Sequence, residues 1–214
     1  MLEIDHVVMG VSNPRTAAAA LRERFGLGTI PGGLHPGGTG NWLIPLEPPQ
    51  YLELLYVADR DVVATGPSAG LLARDLTADP LLAWAVRTDD IDGVGRRLNI
   101  DPMQGSVQKP DGSHARWRVV ADVSDEVTSR PFFIQYDDPE GQRPLEWRER
   151  YAAACHDVAI RGFSWIELGG DEAATREWLG DVSISLRFAP GDPGLRAVAV
   201  AGPDGDIVVR PRLS

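Results

Sequence analysis

His6 and Glu53 each stand in a predominantly apolar run, Ile4-Asp5-His6-Val7-Val8 and Tyr51-Leu52-Glu53-Leu54-Leu55-Tyr56. An ionised carboxylate in such a run cannot be buried unpaired without losing several kcal/mol, so Glu53 needs a partner, and His6 is the candidate. The couple is then either a satisfied, inert hydrogen-bonded pair or a general base with the group that orients it. If both strands turn inward, the pair marks a small-molecule cup.

Other segments offer ligand contacts. Pro31 to Gly40 contains Gly32, Gly33, Gly37, Gly38 and Gly40 around His35, with neither phosphate-cradling nor dinucleotide spacing. It reads either as a mobile loop over the mouth of a cup or as a plain surface turn. Asn41 and Trp42, entering the next strand, would then reach a ligand. In His114-Ala115-Arg116-Trp117-Arg118-Val119 a period of two puts His114, Arg116 and Arg118 on one face and Ala115, Trp117 and Val119 on the other. A basic face turned inward would bind a carboxylate bidentately. Turned outward it leaves Trp117 as core, which is the favoured arrangement. Cys155 and His156 are adjacent in sequence, which does not supply dyad geometry, and both are expected at the surface.

Composition narrows the field. The chain has 214 residues, 43% of them hydrophobic, which is ample for a packed core. With 21 basic and 31 acidic residues the formal charge is -10, a field that repels phosphate backbones and anionic lipid surfaces and would suit a cationic ligand. Nucleic acid and membrane are therefore not expected partners. The single cysteine argues for a reducing, cytoplasmic setting. No signal peptide or membrane anchor is expected from Met1-Leu2-Glu3-Ile4-Asp5-His6 or from the length of any apolar run.

The elements that must position these residues repeat. Leu2 to Val11 reads as a strand, Ser12-Asn13-Pro14 as a helix start, and Ala17, Ala18, Leu21 and Phe25 as one helical face closed by Gly26. An extended piece near Gly28 to Pro31 and strands at Asn41 to Leu46 and Gln50 to Val57, joined at Pro48-Pro49, complete a βαβββ order. A second βαβββ set follows: Leu82 to Thr88, a helix capped by Asp89 or Asp90, then Gly105 to Lys109, His114 to Ala121 and Pro131 to Tyr136. Leu98 over Leu21 gives an offset of 77 (98 − 21), which puts Ala83 on His6; strand matching puts Gln135 on Glu53. A shorter third unit runs through Gly162 to Leu168, the helix Asp171 to Leu179, and Ser183 to Phe188, Leu195 to Ala201 and Ile207 to Val209. The fold class is α+β, repeated βαβββ modules with mixed sheets curled around a cleft, plus a third shorter C-terminal module. The expected divisions are 1–58, a connection at 59–81, 82–137, a partly helical linker at 138–157, and 158–214. A doubly wound nucleotide fold is excluded because strands come in threes and no glycine-rich turn follows the first.

Paired βαβββ units around a cleft resemble the vicinal oxygen chelate superfamily, most closely its glyoxalase-like branch. Ile4 to Val8 with the capped helix, Gly32-Gly33, His35 to Asn41, Tyr51 to Leu55, Trp84 to Asp90, Arg116 to Arg118 and Pro131 to Gln135 carry the likeness. The resemblance implies a ligand on the first and last strand of each unit, so that two units converge on one divalent ion. In the first unit these would be His6 and Glu53, an imidazole and a carboxylate that suit zinc, iron, manganese or nickel. In the second unit Ala83 and Gln135 break the pattern. A metal-free cup is thus the expectation, with one ion on His6 and Glu53 as the alternative.

Three functions remain open. The resemblance implies a metal-dependent lyase, isomerase or dioxygenase with His6 and Glu53 as catalytic residues. A metal-free binding or sequestration protein would use His35, Asn41, Trp42, Arg116, Arg118 and Gln135 as contacts and Trp42, Trp84, Trp117 and Phe133 for stacking. An interaction module would pair the third unit's sheet edge with a partner. The expected partner is a small-molecule ligand, and a homodimer is compatible with the sequence.

Overall fold

The apolar run at the start of the chain forms β1 (Glu3–Gly10), buried from Ile4 onward. The computed structural model describes residues 2–47, 49–122, 130–137, 142–180 and 184–213. Pro48 of the expected proline turn, Ser183 of the expected third-unit strand and residues 138–141 of the expected linker lie outside these.

Helix α1 (Pro14–Phe25) starts where Asn13 Oδ1 accepts from the backbone N–H groups of Arg15 and Thr16 at 2.9 and 3.3 Å. It ends on Gly26 in the left-handed conformation, φ 69°. Its buried face, Ala17, Ala18 and Leu21, packs with Val7 and Met9, whose side chains alternate away from that of His6 along β1. Each fully buried aliphatic side chain there contributes about 1.5–3 kcal/mol.

The first unit continues with β2 (Ile30–Leu34), β3 (Thr39–Pro45) and β4 (Tyr51–Val57), and a short helix, α2 (Arg60–Thr65), opens the connection to the next unit. The second unit comprises β5 (Leu81–Arg87), α3 (Ile91–Leu98), β6 (Met103–Gln108), β7 (His114–Val120) and β8 (Phe132–Tyr136). The two sets do more than curl around a cleft. They close into an eight-stranded barrel in the order β1-β4-β3-β2-β6-β7-β8-β5.

One seam of the barrel is the antiparallel pair β1 and β5, in which His6 faces Ala85 and Val8 faces Ala83. The offset of 77 exchanges these two pairs, so it expresses a two-fold relation between the units. The other seam is narrow, with Leu34 opposite Gln108. There a Cβ on Gly33 would lie 2.3 Å from the Gln108 carbonyl oxygen, so only glycine admits that approach. The segment from Pro31 to Gly40 is accordingly neither a mobile loop nor a plain turn. Most of it is β2 and the start of β3, joined by a tight connection in which the His35 N–H donates to Thr39 O at 2.8 Å.

Helix α4 (Gln142–Ala154) lies over the barrel mouth, and its C-terminal end is tied to the first unit. His156, expected at the surface, is half-buried there. Its Nδ1 accepts from Gly28 N–H and its Nε2 donates to Pro45 O, both at 2.9 Å. Burial, reinforced by the positive charge of Arg22, lowers its pKa below the ordinary 6.5 against the opposing effects of Pro45 O and Asp157. Cys155 is exposed.

The third unit has β9 (Phe163–Gly169), α5 (Glu172–Leu179), β10 (Leu186–Ala189), β11 (Gly194–Gly202) and β12 (Gly205–Val209). Its element order repeats the others, but its pairing does not. β9 pairs in parallel with the next strand, β10, whereas β1 and β5 pair in parallel with the last strands of their units. The result is an open sheet, β10-β9-β11-β12, with no half-barrel. Its Ile166, Leu168, Val198 and Val200 share one core with Trp84 and Val86 of β5. Arg97 of α3 donates to Trp178 O at 2.9 Å, and Trp178 Nε1 donates to Pro131 O at 2.8 Å, fastening the unit to the barrel. No helix among the described residues is long and apolar enough to cross a membrane.

Candidate functional site

Inside the barrel, under α4, is a cavity of about 190 Å³. Period-two alternation selects its walls: His6 and Val8 from β1, Asn41 and Leu43 from β3, Tyr51 and Glu53 from β4, and Phe132, Ile134 and Tyr136 from β8.

His6 is 3% exposed and Glu53 6%, and they face each other across the β1–β4 pair with Nε2 and Oε2 3.6 Å apart. That separation is an ion-pair distance and too long for a hydrogen bond. Glu53 instead accepts through Oε1 from Asn41 Nδ2 at 2.8 Å. The other atom of that amide, Asn41 Oδ1, is buried and has no hydrogen-bond partner among the described residues. The His6 ring is stacked on Tyr51, with centroids 4.5 Å apart and planes at 15°, and meets the Phe132 ring edge-on at 5.3 Å.

Asp5 completes the arrangement, and only the strand irregularity explains how. Residues on either side of it pair with consecutive residues of β5, Ile4 with Val86 and His6 with Ala85, which leaves Asp5 as a bulge. A bulge re-aims the side chain it carries. Fully buried Asp5 thus accepts through Oδ2 from His6 Nδ1 and from the Tyr136 hydroxyl, each at 2.8 Å, while Arg87 Nη1 lies 3.6 Å from Oδ1. The two-fold counterpart of Asp5 is Leu82, which bulges from β5 between Leu81 and Ala83. Both halves therefore kept the bulge, and only the first bears a carboxylate.

The mouth is cationic. Lys109 Nζ and Arg150 Nη2 both donate to Glu146 Oε1, each at 2.7 Å, with Arg150 Nε at 3.1 Å. Partial burial opposes ionisation of Glu146, but these two cations together hold its pKa below the usual carboxylate range. Trp147 of α4 stacks on Tyr51 with centroids 4.8 Å apart, and the Arg150 guanidinium lies 5.1 Å from the Trp147 ring. His35 lines the same cavity, with Nδ1 2.9 Å from Thr39 Oγ1 and its ring edge-on to Trp117.

The structure brings His6, Glu53, His35 and Asn41 together and places the other expected contacts elsewhere. Trp42 alternates to the outside of β3, where Arg15 lies 5.6 Å from its ring. Gln135 alternates to the outside of β8, accepts from Ile91 N–H at 3.1 Å and donates to Asp89 O at 3.0 Å, so it closes the start of α3. Arg118 binds Asp92 at 2.8 Å on that outer face, and Arg116 is exposed. Trp117, expected as core, is part of the cavity wall, whereas Trp84 and Phe133 are core. Sequence reading missed Asp5, Tyr51, Tyr136, Lys109 and the α4 residues Glu146, Trp147 and Arg150. A carboxylate inside an apolar strand was the available signal for Asp5, and the i, i+4 pair Glu146 and Arg150 flanking Trp147 was the signal for α4.

The register also identifies the true counterpart of Glu53. Val8 pairs with Glu53 and its equivalent Ala85 pairs with Phe132, so Phe132 and not Gln135 occupies that place. The second unit therefore offers Ala83 and Phe132, neither with a donor atom. Among the described residues no group of three or more His, Cys, Asp or Glu side chains is placed to hold a metal ion. The donor set does not fit a site built from both units.

The model of the glyoxalase-like domain family matches residues 4–182. The chain belongs to that family. This glyoxalase-like chain has the vicinal oxygen chelate architecture, and a solved structure of a hypothetical protein from Staphylococcus aureus shares its fold, with a TM-score of 0.65 at 18% identity over 98% of this chain and 85% of that one. A methylmalonyl-CoA epimerase from Mycobacterium tuberculosis aligns with a TM-score of 0.44 at 16% identity, over 64% of this chain and 89% of that one. A Mn(II)-bound glyoxalase from Novosphingobium aromaticivorans gives 0.47 at 12% identity, over 92% and 64%. No curated protein matches the sequence.

Proposed function

We propose that this glyoxalase-like protein binds a small organic molecule in the barrel cavity, held by side chains without a resident metal ion. One observation carries the reading: His6, Asn41 and Glu53 all come from the first unit, and the second-unit positions related to His6 and Glu53 are Ala83 and Phe132. Two protein donors leave most of a divalent ion's coordination unfilled. Apolar and aromatic walls with a few convergent polar groups are instead the usual make-up of a small-molecule site. Elemental analysis of protein purified without a metal-affinity tag, combined with thermal shifts on adding zinc, manganese, iron and nickel salts, tests the metal-free part. Near-stoichiometric bound metal, or stabilisation by one ion that is abolished in Glu53→Gln, refutes it.

A second reading is favoured by the two carboxylates that face opposite nitrogens of His6. A ring so placed can pass a proton from one side to the other, the arrangement of a general base and its orienting partner. Exchange of solvent deuterium into a bound carbon acid, lost in His6→Gln, distinguishes catalysis from binding alone.

A further inference from the structure

The cavity is polarised along its length, and that polarity specifies an occupant. At the inner end stand two acceptors short of donors: Asn41 Oδ1, which is buried without a partner among the described residues, and Glu53 Oε2, which has His6 Nε2 at 3.6 Å. A buried acceptor left unpaired destabilises the protein, and a ligand hydroxyl or ammonium would satisfy it. Gly32 leaves room for the Asn41 amide, since a Cβ there would come within 2.0 Å of Oδ1.

At the mouth stand two cations, Lys109 and Arg150, that share one carboxylate oxygen of Glu146. The trio carries one net positive charge, half-buried, in a chain whose formal charge is -10. A ligand carboxylate would neutralise it, and Arg presents the fork that such a group fits.

The two ends are separated by aromatic surface. From the His6 ring the steps are 4.5 Å to Tyr51, 4.8 Å to Trp147 and 5.1 Å to the Arg150 guanidinium, so two stacked rings lie between the inner group and the outer cation. Trp117 and Phe132 supply further flat wall. The volume sets the size. An apolar cavity of about 150 Å³ accepts benzene, so about 190 Å³ admits one substituted ring.

Building on the small-molecule reading above, we infer that the cup takes a single-ring aromatic carboxylic acid bearing a hydroxyl or protonated amine at its far end. The carboxylate lies at Lys109 and Arg150, the ring along the edges of the Tyr51–Trp147 stack and against Trp117 and Phe132, and the donor at Asn41 and Glu53.

The test is a titration of the full chain with three sets of single-ring probes, followed by calorimetry and by quenching of the cavity tryptophans. The first set is 4-hydroxybenzoate, 4-hydroxyphenylacetate and 4-aminophenylacetate. The second is their methyl esters, and the third is benzoate and phenylacetate. At least one acid of the first set is expected to bind, with its ester and its unsubstituted analogue each at least tenfold weaker. Lys109→Gln is expected to weaken the acid about tenfold and leave the ester unchanged, which a merely unfolded variant would not do. Equal or tighter binding of the esters overturns the proposed ligand class but leaves the small-molecule reading standing. Failure of all three sets to bind also overturns the single-ring class, and the small-molecule reading is then judged separately by whether any member of a chemically diverse library raises Tm.

Discussion

Replacing Asp5 by Asn changes a charge and almost no volume, so it isolates the electrostatic role of the bulged carboxylate. Asp5 is fully buried, and its Oδ2 accepts from His6 Nδ1 and the Tyr136 hydroxyl at 2.8 Å each. In Asp5→Asn the amide oxygen can keep those two bonds only by turning the NH2 group toward Arg87 Nη1, which stands 3.6 Å from Oδ1 and is itself a donor. Breaking one partner of a buried pair costs about 3–5 kcal/mol. Arg87 is partly exposed and keeps Glu3 at 2.6 Å, so about 2–3 kcal/mol is the reasoned loss here, in line with hydrogen bonds to charged groups. For a chain of this size each kcal/mol lowers Tm by about 2–4 °C, which predicts a fall of about 4–12 °C. Thermal unfolding followed by circular dichroism at neutral pH measures it, with Tyr136→Phe, which removes the hydroxyl's bonds to Asp5 and Tyr51, as a comparison at about 1.5–3 kcal/mol. A Tm within about 2 °C of the parent would refute the reasoning, because the bulge would then be tolerated for its backbone alone.

Three further outcomes follow from the geometry. Gly33→Ala should destabilise by more than about 2 kcal/mol, because its Cβ meets the Gln108 carbonyl at 2.3 Å, while Gly37→Ala, whose nearest contact is 3.9 Å away, should stay within about 0.5 kcal/mol; urea midpoints at constant slope compare them. His156 has a folded pKa below its ordinary 6.5, so its neutral form is favoured on folding. The folded state then binds fewer protons than the unfolded state, and this contribution is fully present above pH 6.5 and lost as pH falls toward the folded value. Urea stability should decline with acidification in that window, and the His156→Gln variant should show a shallower decline. Glu146→Gln should change overall stability by less than about 1 kcal/mol, since the pair is partly exposed, yet tighten binding of an anionic probe by removing the competing carboxylate.

The sequence's periodicities carried the local structure well and the long-range closures poorly. Asn13, Pro14 and Gly26 announced α1 because caps are local chemistry. β2 was largely read as loop because Gly32 and Gly33 suppress strand propensity, and their purpose is visible only with Gln108 brought against them from the other unit. His6 and Glu53 were legible as a pair because burial of a carboxylate demands a partner. Gln135 was misplaced because matching one strand to another by pattern does not fix their register; the pairing of β5 with β8 is needed to find Phe132 instead. The third unit teaches the same point, since its strand order matches the others while its pairing differs. Alternation alone could separate Arg116 from Trp117, but not say which side was the interior. Helix α4, expected only as part of a linker, became part of the site through Trp147 stacking on Tyr51, a contact between residues far apart in the chain.

The matched bulges at Asp5 and Leu82 describe a shell with two-fold symmetry and an interior without it. His6 and Glu53 of the first unit reach the cavity wall, whereas the positions related to them by the two-fold are Ala83 and Phe132, which carry no polar group. The polar groups of the wall are therefore not repeated by the symmetry of the shell. Asymmetry inside the barrel is carried by the side chains, while the backbone keeps the two-fold relation.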